Sequence, residues 1–370
     1  MSNFGIMVKP VGSTCNMSCK YCYYIENEMS HHSIMDHKLL EITIKNYFES
    51  TSGPIASFVW HGGEPTLAGL DFYKRVVELQ KKYLPKGWQC WNNLQTNGLL
   101  LDDDWFEFLN ENHFDVGISL DATQAIHDFY RSDTQGNPTY SRVKRNIQKL
   151  KEYGVKADLL CTVTQQTTKD PSAVYSSLAE LNTGWIQFIP IVNKTDGGYS
   201  EESVTPQAYG RFLIALFDEW LTKRIGDTDI QLFMELLNIY AGGQSSLCWL
   251  AEICGMIPVV EADGMVYSCD HYVNENNLIG DVSKTFLKRM MNSKHQVDFM
   301  YAKREDVCED CLKCKWWFLC HGACPKDRIE GKYYLCEGLK MLFEHSEEYL
   351  KRAVILLKQG YNYNQLKDLW

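Results

Sequence analysis

Cys15, Cys19 and Cys22 follow one another as C-x3-C-x2-C near the start of the chain, and no other feature constrains the protein as tightly. Three thiolates at this spacing can hold three irons of a cubane 4Fe–4S cluster, leaving the fourth iron open to a small molecule. An electron-transfer protein would normally add a fourth cysteine close by. The next cysteine here is Cys90, far away in a strand-like run. The competing readings are a zinc site, which usually takes paired C-x2-C knuckles, and a chance grouping.

Composition narrows the class. At 370 residues the chain can hold one large domain and a smaller one. A formal net charge of -10 argues against nucleic acid or an anionic membrane surface as a partner. No apolar run approaches the roughly 20 residues of a membrane span, so no membrane partner is expected. The opening MSNFGIMVKP lacks a basic segment followed by an apolar one, which predicts a cytoplasmic protein. Fourteen cysteines in such a chain read as metal ligands rather than disulfides.

From residue 5 to 223, short apolar runs alternate with amphipathic stretches. Strands are expected at Gly5–Pro10, Ile55–His61, Gln89–Gln95, Asp115–Ser119, Val155–Thr164 and Trp185–Pro190. Helices are expected near Asp36–Ser50, Leu70–Tyr83, Asp102–Asn112, Tyr140–Tyr153, Pro171–Leu181 and Pro206–Leu221. Asp36 and Asp102 are N-cap candidates. Strict alternation predicts an α/β fold with a parallel sheet. After about residue 225 the pattern changes to an amphipathic stretch, Asp229–Tyr240, and then nine cysteines among short strands and turns. Pro258–Ala262 and Met265–Cys269 flank Asp263-Gly264, a hairpin signal. So short a region needs staples to hold its shape. The expected division is 1–227 and 228–370, with an amphipathic helix near Met341–Leu357.

His61-Gly62-Gly63-Glu64-Pro65 follows the second expected strand. Its glycines let the backbone approach a ligand closely, and Glu64 can accept hydrogen bonds from an ammonium. With Lys9-Pro10 ahead of the cysteine triplet and Tyr21, Tyr23 and Tyr24 around it, the segment resembles the signature of radical S-adenosylmethionine (radical SAM) enzymes. The resemblance implies a partial (β/α)6 barrel in which the open iron chelates the methionine amine and carboxylate, and reductive cleavage gives a 5′-deoxyadenosyl radical. It also implies cofactor contacts from Tyr21, Gly62, Gly63, Glu64, Ser119, Asp121 and Arg131.

Cys311-x2-Cys314-x5-Cys320-x3-Cys324 resembles the SPASM extension of peptide-modifying radical enzymes, which carries two auxiliary 4Fe–4S clusters. The implied ligands are Cys248, Cys254, Cys269 and Cys324 for one cluster, and Cys311, Cys314, Cys320 and Cys336 for the other, making three clusters in all. Cys308 is left over. Fully ligated clusters have no open iron for substrate, so they suit electron transfer or a structural role.

Along nearly its whole length the chain is similar to anaerobic sulfatase-maturating enzymes, through the Tyr-rich triplet loop, Gly62–Leu67, Leu94–Gly98, the Val260–Asp270 hairpin and Cys311–Cys324. The resemblance implies oxidation of a Cys or Ser in a sulfatase polypeptide to Cα-formylglycine, with Asp270 as general base and Tyr24 and His61 at the substrate. It also implies a flavodoxin- or ferredoxin-type electron donor. His61 stands where the family pattern has glutamine. The alternative is a SPASM maturase that crosslinks a ribosomally made peptide. An ordinary thiol and an ordinary aspartate differ by roughly 4.6 pKa units, so proton transfer between them is uphill by about 6 kcal/mol. Asp270 therefore needs either a raised pKa or a substrate made more acidic by radical formation.

Overall fold

In a computed structural model, which describes residues 3–24, 33–195 and 198–370, the expected strand–helix alternation is present from Ile6 to Glu219. Asp36 accepts a hydrogen bond from the Leu39 N–H and opens the helix His37–Ser50. Asp102 does the same for Trp105 at the start of Asp103–Glu111. Each cap satisfies one donor that the first helical turn leaves without a partner. The helices Leu70–Tyr83 and Tyr140–Glu152 turn Phe72, Val76, Val143 and Ile147 into the core.

The chain folds as two units, each assembled from separated stretches of sequence. The first comprises Met1–Ser119, Arg131–Ala157 and Cys254–Ala302. Within it, Ile6–Val8 pairs in parallel with Ile55–Trp60, which pairs with Gln89–Thr96, which pairs with Phe114–Ser119. On its other edge Ile6–Val8 pairs in parallel with Val259–Val260, the first strand of the expected hairpin. Met265–Tyr267 returns antiparallel, and Leu278–Asp281 adds a third strand that the sequence did not announce. A small antiparallel ladder joins Met17–Cys19 to Arg131–Asp133.

The second unit comprises Leu120–Tyr130, Asp158–Ile253 and Lys303–Trp370. Here Trp185–Pro190 pairs in parallel with both Ala157–Val163 and Asp229–Ile230. Asp229 and Ile230, the first residues of the expected amphipathic stretch, form a short strand, and a helix starts at Gln231. The long helix Cys336–Lys358 packs against Pro206–Glu219 where two glycines meet. A Cβ on Gly338 would lie 2.3 Å from the Pro206 carbonyl. Among the described residues no helix is long and apolar enough to cross a membrane.

Candidate active site

The loop after Ile6–Val8 carries the cysteine triplet. Cys15 Sγ accepts from the Met17 N–H at 3.4 Å and from Asn97 Nδ2 at 3.8 Å. Cys19 closes the short ladder opposite Arg131, and the Cys22 N–H donates to the Cys19 carbonyl. Burial pushes the Cys15 thiol up to about 11, and the Glu64, Cys19 and Cys22 charges add to the rise. Among the described residues no group of three or more His, Cys, Asp or Glu side chains converges closely enough to hold a single metal ion. The donor set itself fits: three soft thiols stand on one loop, with an amide N–H aimed at one sulfur. That suits an iron–sulfur cluster with one open iron.

The two glycines after His61 answer to the same loop. The Gly63 N–H donates to the Gly12 carbonyl at 2.7 Å, and the Glu64 N–H to the Thr14 carbonyl at 2.8 Å. A Cβ at Gly63 would lie 2.1 Å from the Thr14 carbonyl oxygen. Gly62 has a φ of +127°, and a Cβ there would meet the Gly12 carbonyl at 2.7 Å. The expected close approach was to a ligand; the approach seen here is to the backbone of the cysteine loop. Glu64 is fully buried. Its Oε1 accepts from the Thr66 N–H and the Thr66 and Thr96 hydroxyls, and its Oε2 from the Asn97 N–H. Burial raises its pKa, and these donors oppose the rise. Asn97 Nδ2 also reaches Asn16 at 2.8 Å, so Glu64 fixes the residue that touches Cys15.

Tyr21 and Arg131 meet, with Arg131 Nη1 donating to the Tyr21 hydroxyl at 3.0 Å and the arginine 9% exposed. This is no solvated surface arginine. Ser119 ends its strand in the first unit. Asp121 lies in the second, where its carboxylate accepts from the Thr162 N–H at 2.8 Å.

Asp270, just after the expected ligand Cys269, belongs to a dense group of ionisable residues in the first unit. Its Oδ1 is 2.6 Å from Lys9 Nζ, and its Oδ2 accepts from the Tyr23 hydroxyl at 3.0 Å. Lys9 is fully buried, lies 3.2 Å from Glu261 Oε1, and stands 4.8 Å above the Tyr24 ring. Tyr23 stacks on Tyr24 at 4.4 Å and meets His271 edge-on. Burial holds the His61 imidazole below its ordinary pKa against the opposing pull of Asp270, and its buried Nδ1 has no hydrogen-bond partner among the described residues. Burial would raise the Asp270 pKa, but Lys9, His61 and His271 hold the carboxyl well below the usual carboxylate range. This is the opposite direction from the raised aspartate pKa that proton transfer from an ordinary thiol would need. Lys9, Tyr23 and Glu261 were absent from the expected site. Lys9 and Tyr23 stood in the segment around the cysteine triplet and Glu261 in the Val260–Asp270 hairpin, without a role assigned to any of them.

In the second unit one cavity is lined by Cys311, Cys314, Cys320 and Cys336, together with Trp316, Trp317, Lys332, Lys340 and Phe343. These are the four thiols expected on one auxiliary cluster. Burial pushes Cys311 up to about 12 and Cys320 up to about 11, and neighbouring thiols add to both shifts. Cys336 is also raised by burial, against the pull of Lys340 and Lys332. Four soft donors around one apolar space fit a fully ligated cubane. Cys308 stands beside them, its Sγ 3.6 Å from that of Cys311. Of the other expected ligands, Cys254 and Cys269 lie in the first unit, and Cys248 and Cys324 in the second.

Two cations that the sequence gave no reason to single out shape these loops. Lys303 is fully buried and donates to the carbonyls of Cys248, Trp249 and Ala251. Arg328 donates to the carbonyls of His321, Gly322, Ala323, Lys303 and Asp306. His321, Gly322 and Ala323, which separate Cys320 from Cys324, all have left-handed backbones, with φ of 46°, 73° and 53°.

The radical SAM superfamily pattern matches residues 10–177, and an iron–sulfur cluster-binding domain of the SPASM type matches residues 254–315. The serine-type anaerobic sulfatase-maturating enzyme of Bacteroides thetaiotaomicron is 37% identical, over 93% of this chain and 90% of that protein. The cysteine-type enzyme of Clostridium perfringens is 35% identical, over 94% of this chain and 97% of that protein. The solved structure of native anSMEcpe with bound AdoMet and Cp18Cys peptide is 34% identical with a TM-score of 0.88, covering 95% of this chain and 99% of that one. The chain therefore belongs to the anaerobic sulfatase-maturating enzymes of the radical SAM superfamily, which use S-adenosylmethionine with a 4Fe–4S cluster and carry further iron–sulfur clusters in a SPASM domain.

Proposed function

We propose that this enzyme oxidises the side chain of a specific Cys or Ser in a sulfatase polypeptide to Cα-formylglycine. The observation that carries the reading is Asp270, whose two carboxylate oxygens lie between Lys9 and Tyr23 in the unit that holds the cysteine triplet. Relatives named for both serine and cysteine targets support the reaction class, and a solved relative with a bound peptide supports a polypeptide substrate. Cys15, Cys19 and Cys22 hold the first cluster in this reading, and eight further cysteines hold two more. When bound, these groups and S-adenosylmethionine supply a 5′-deoxyadenosyl radical for hydrogen-atom removal at the target Cβ and a sink for one electron.

The chain's own residues do the rest. Glu64 and Asn97 fix the cysteine loop, and Arg131 with Tyr21 supports its ladder. Tyr24 and His61 frame the target side chain. After the hydrogen atom leaves Cβ, the target S–H or O–H gives its proton to Asp270 and the carbon centre gives up one electron. A serine then becomes the aldehyde directly. A cysteine becomes a thioaldehyde, which takes up water and releases hydrogen sulfide. Because Lys9 holds Asp270 at low basicity, the increase in substrate acidity on radical formation must drive the proton transfer. The electrons come from a flavodoxin- or ferredoxin-type donor, which would have to replace chemical reductant in the assay.

Asp270→Asn keeps size and hydrogen bonding but removes the basic form. It should retain iron and still release 5′-deoxyadenosine, while the aldehyde yield falls by roughly 10²-fold or more. Aldehyde formed at the wild-type ratio to deoxyadenosine would put the proton acceptor elsewhere.

A further inference from the structure

Lys9 is a fully buried ammonium that the proposed reaction does not consume. It leaves the first strand at its C-terminal end, where its N–H donates to the Val260 carbonyl and its own carbonyl accepts from the Gly12 N–H. Its Nζ meets Asp270 Oδ1 at 2.6 Å on one side and Glu261 Oε1 at 3.2 Å on the other. Glu261 is itself 3% exposed and fixed by its backbone, exchanging hydrogen bonds with Met265 and Gly264 in the hairpin turn.

A buried lysine is retained at a cost in solvation that only close partners offset. Here both partners are carboxylates, and one of them is the proposed proton acceptor. Asp270 sits in a one-turn helix, and its side chain is free to rotate unless something outside that turn holds it. Its two oxygens are treated differently. Oδ1 is held by Lys9, and Oδ2 accepts from the hydroxyl of Tyr23, a residue that is 37% exposed.

We propose that Lys9 and Glu261 are positioning residues: Glu261 anchors the ammonium, and the ammonium pins Oδ1 so that Oδ2 is presented to the target side chain. The inference rests on the reading of Asp270 as proton acceptor. Proton transfer needs its groups placed to within a few tenths of an ångström, and misplacement by about 1 Å can cost 10²-fold.

The test compares Lys9→Met, Lys9→Gln and Glu261→Met in the reconstituted enzyme with a target peptide. Iron content, 5′-deoxyadenosine and aldehyde are measured on each. Lys9→Met removes the donor and should keep iron and deoxyadenosine within about twofold of wild type, while aldehyde per deoxyadenosine falls about tenfold or more. Lys9→Gln restores an N–H donor of similar reach and should recover part of that ratio. A neutral donor would recover nothing if Lys9 acted by its charge alone. Glu261→Met should lower the ratio in the same direction by about threefold or more, and it decides the matter alone if Lys9→Met loses iron. A wild-type ratio in an iron-replete Lys9→Met or Glu261→Met enzyme overturns the proposal. So does a parallel fall of deoxyadenosine and aldehyde, and iron loss in both variants assigns the pair to the scaffold. Absence of aldehyde from the wild-type enzyme is a different result, one that removes the functional reading itself.

Discussion

Arg328→Met should cost the protein the cluster lined by Cys311, Cys314, Cys320 and Cys336. Arg328 is 8% exposed, and its guanidinium donates to five backbone carbonyls at 2.8–3.3 Å. Three of these belong to His321, Gly322 and Ala323, whose left-handed backbones set the spacing between Cys320 and Cys324. For His321 and Ala323 that backbone costs roughly 1–2 kcal/mol each, and it persists only while the surroundings hold it. A hydrogen bond to a charged group contributes about 1.5–3 kcal/mol net, so five sum to at least about 7 kcal/mol before relaxation. The turn can relax and let water reach some carbonyls, so a loss of about 3–5 kcal/mol is the working figure. Methionine keeps the apolar stem and removes the donors. The assays are iron content after anaerobic reconstitution and the denaturant midpoint of the reconstituted protein. The variant should bind about four irons fewer than wild type and unfold at lower denaturant. Full iron content with an unchanged midpoint would refute the idea that Arg328 holds the turn.

Two further outcomes follow from the cysteine loop. Replacing Cys15, Cys19 and Cys22 together should remove about a third of roughly twelve irons and abolish cleavage of S-adenosylmethionine; stoichiometric zinc in the wild-type protein would contradict the cluster assignment. Gly63→Ala pushes a methyl group against the Thr14 carbonyl and should cost roughly 1–3 kcal/mol, with the same loss of cofactor cleavage. Cleavage at the wild-type rate would show that the loop moves aside at little cost.

Local spacing made part of this molecule legible from its residues. The cysteine triplet, the Gly-Gly turn and the Asp36 and Asp102 caps are short patterns whose meaning depends on nearby residues. The strand–helix alternation followed from hydrophobic periodicity. Asp229 and Ile230 could not be separated from the amphipathic stretch because Leu232, Phe233, Leu236 and Leu237 form a helical stripe directly behind them, while the two residues pair with a strand more than forty positions upstream. Leu278–Asp281 escaped notice because four residues ending in Gly-Asp resemble a turn. Lys9 and Arg328 look like solvated cations in sequence, and their burial depends on partners brought in by the fold. Glu261 reaches Lys9 across some 250 residues. No periodicity carries a contact of that kind. The grouping of eight cysteines into two sets came from resemblance, and the structure places one set around a single cavity.

The most direct measurement of the central claim is anaerobic turnover of the reconstituted enzyme on two peptides of sulfatase sequence, identical except for a central Cys or Ser. Mass change and hydrazine trapping report the aldehyde, and chromatography reports 5′-deoxyadenosine. The account predicts an aldehyde at the target position in at least one peptide, formed in proportion to deoxyadenosine and suppressed by Asp270→Asn. Deoxyadenosine released with both peptides but no aldehyde in either, or a crosslink in place of the aldehyde, would contradict it.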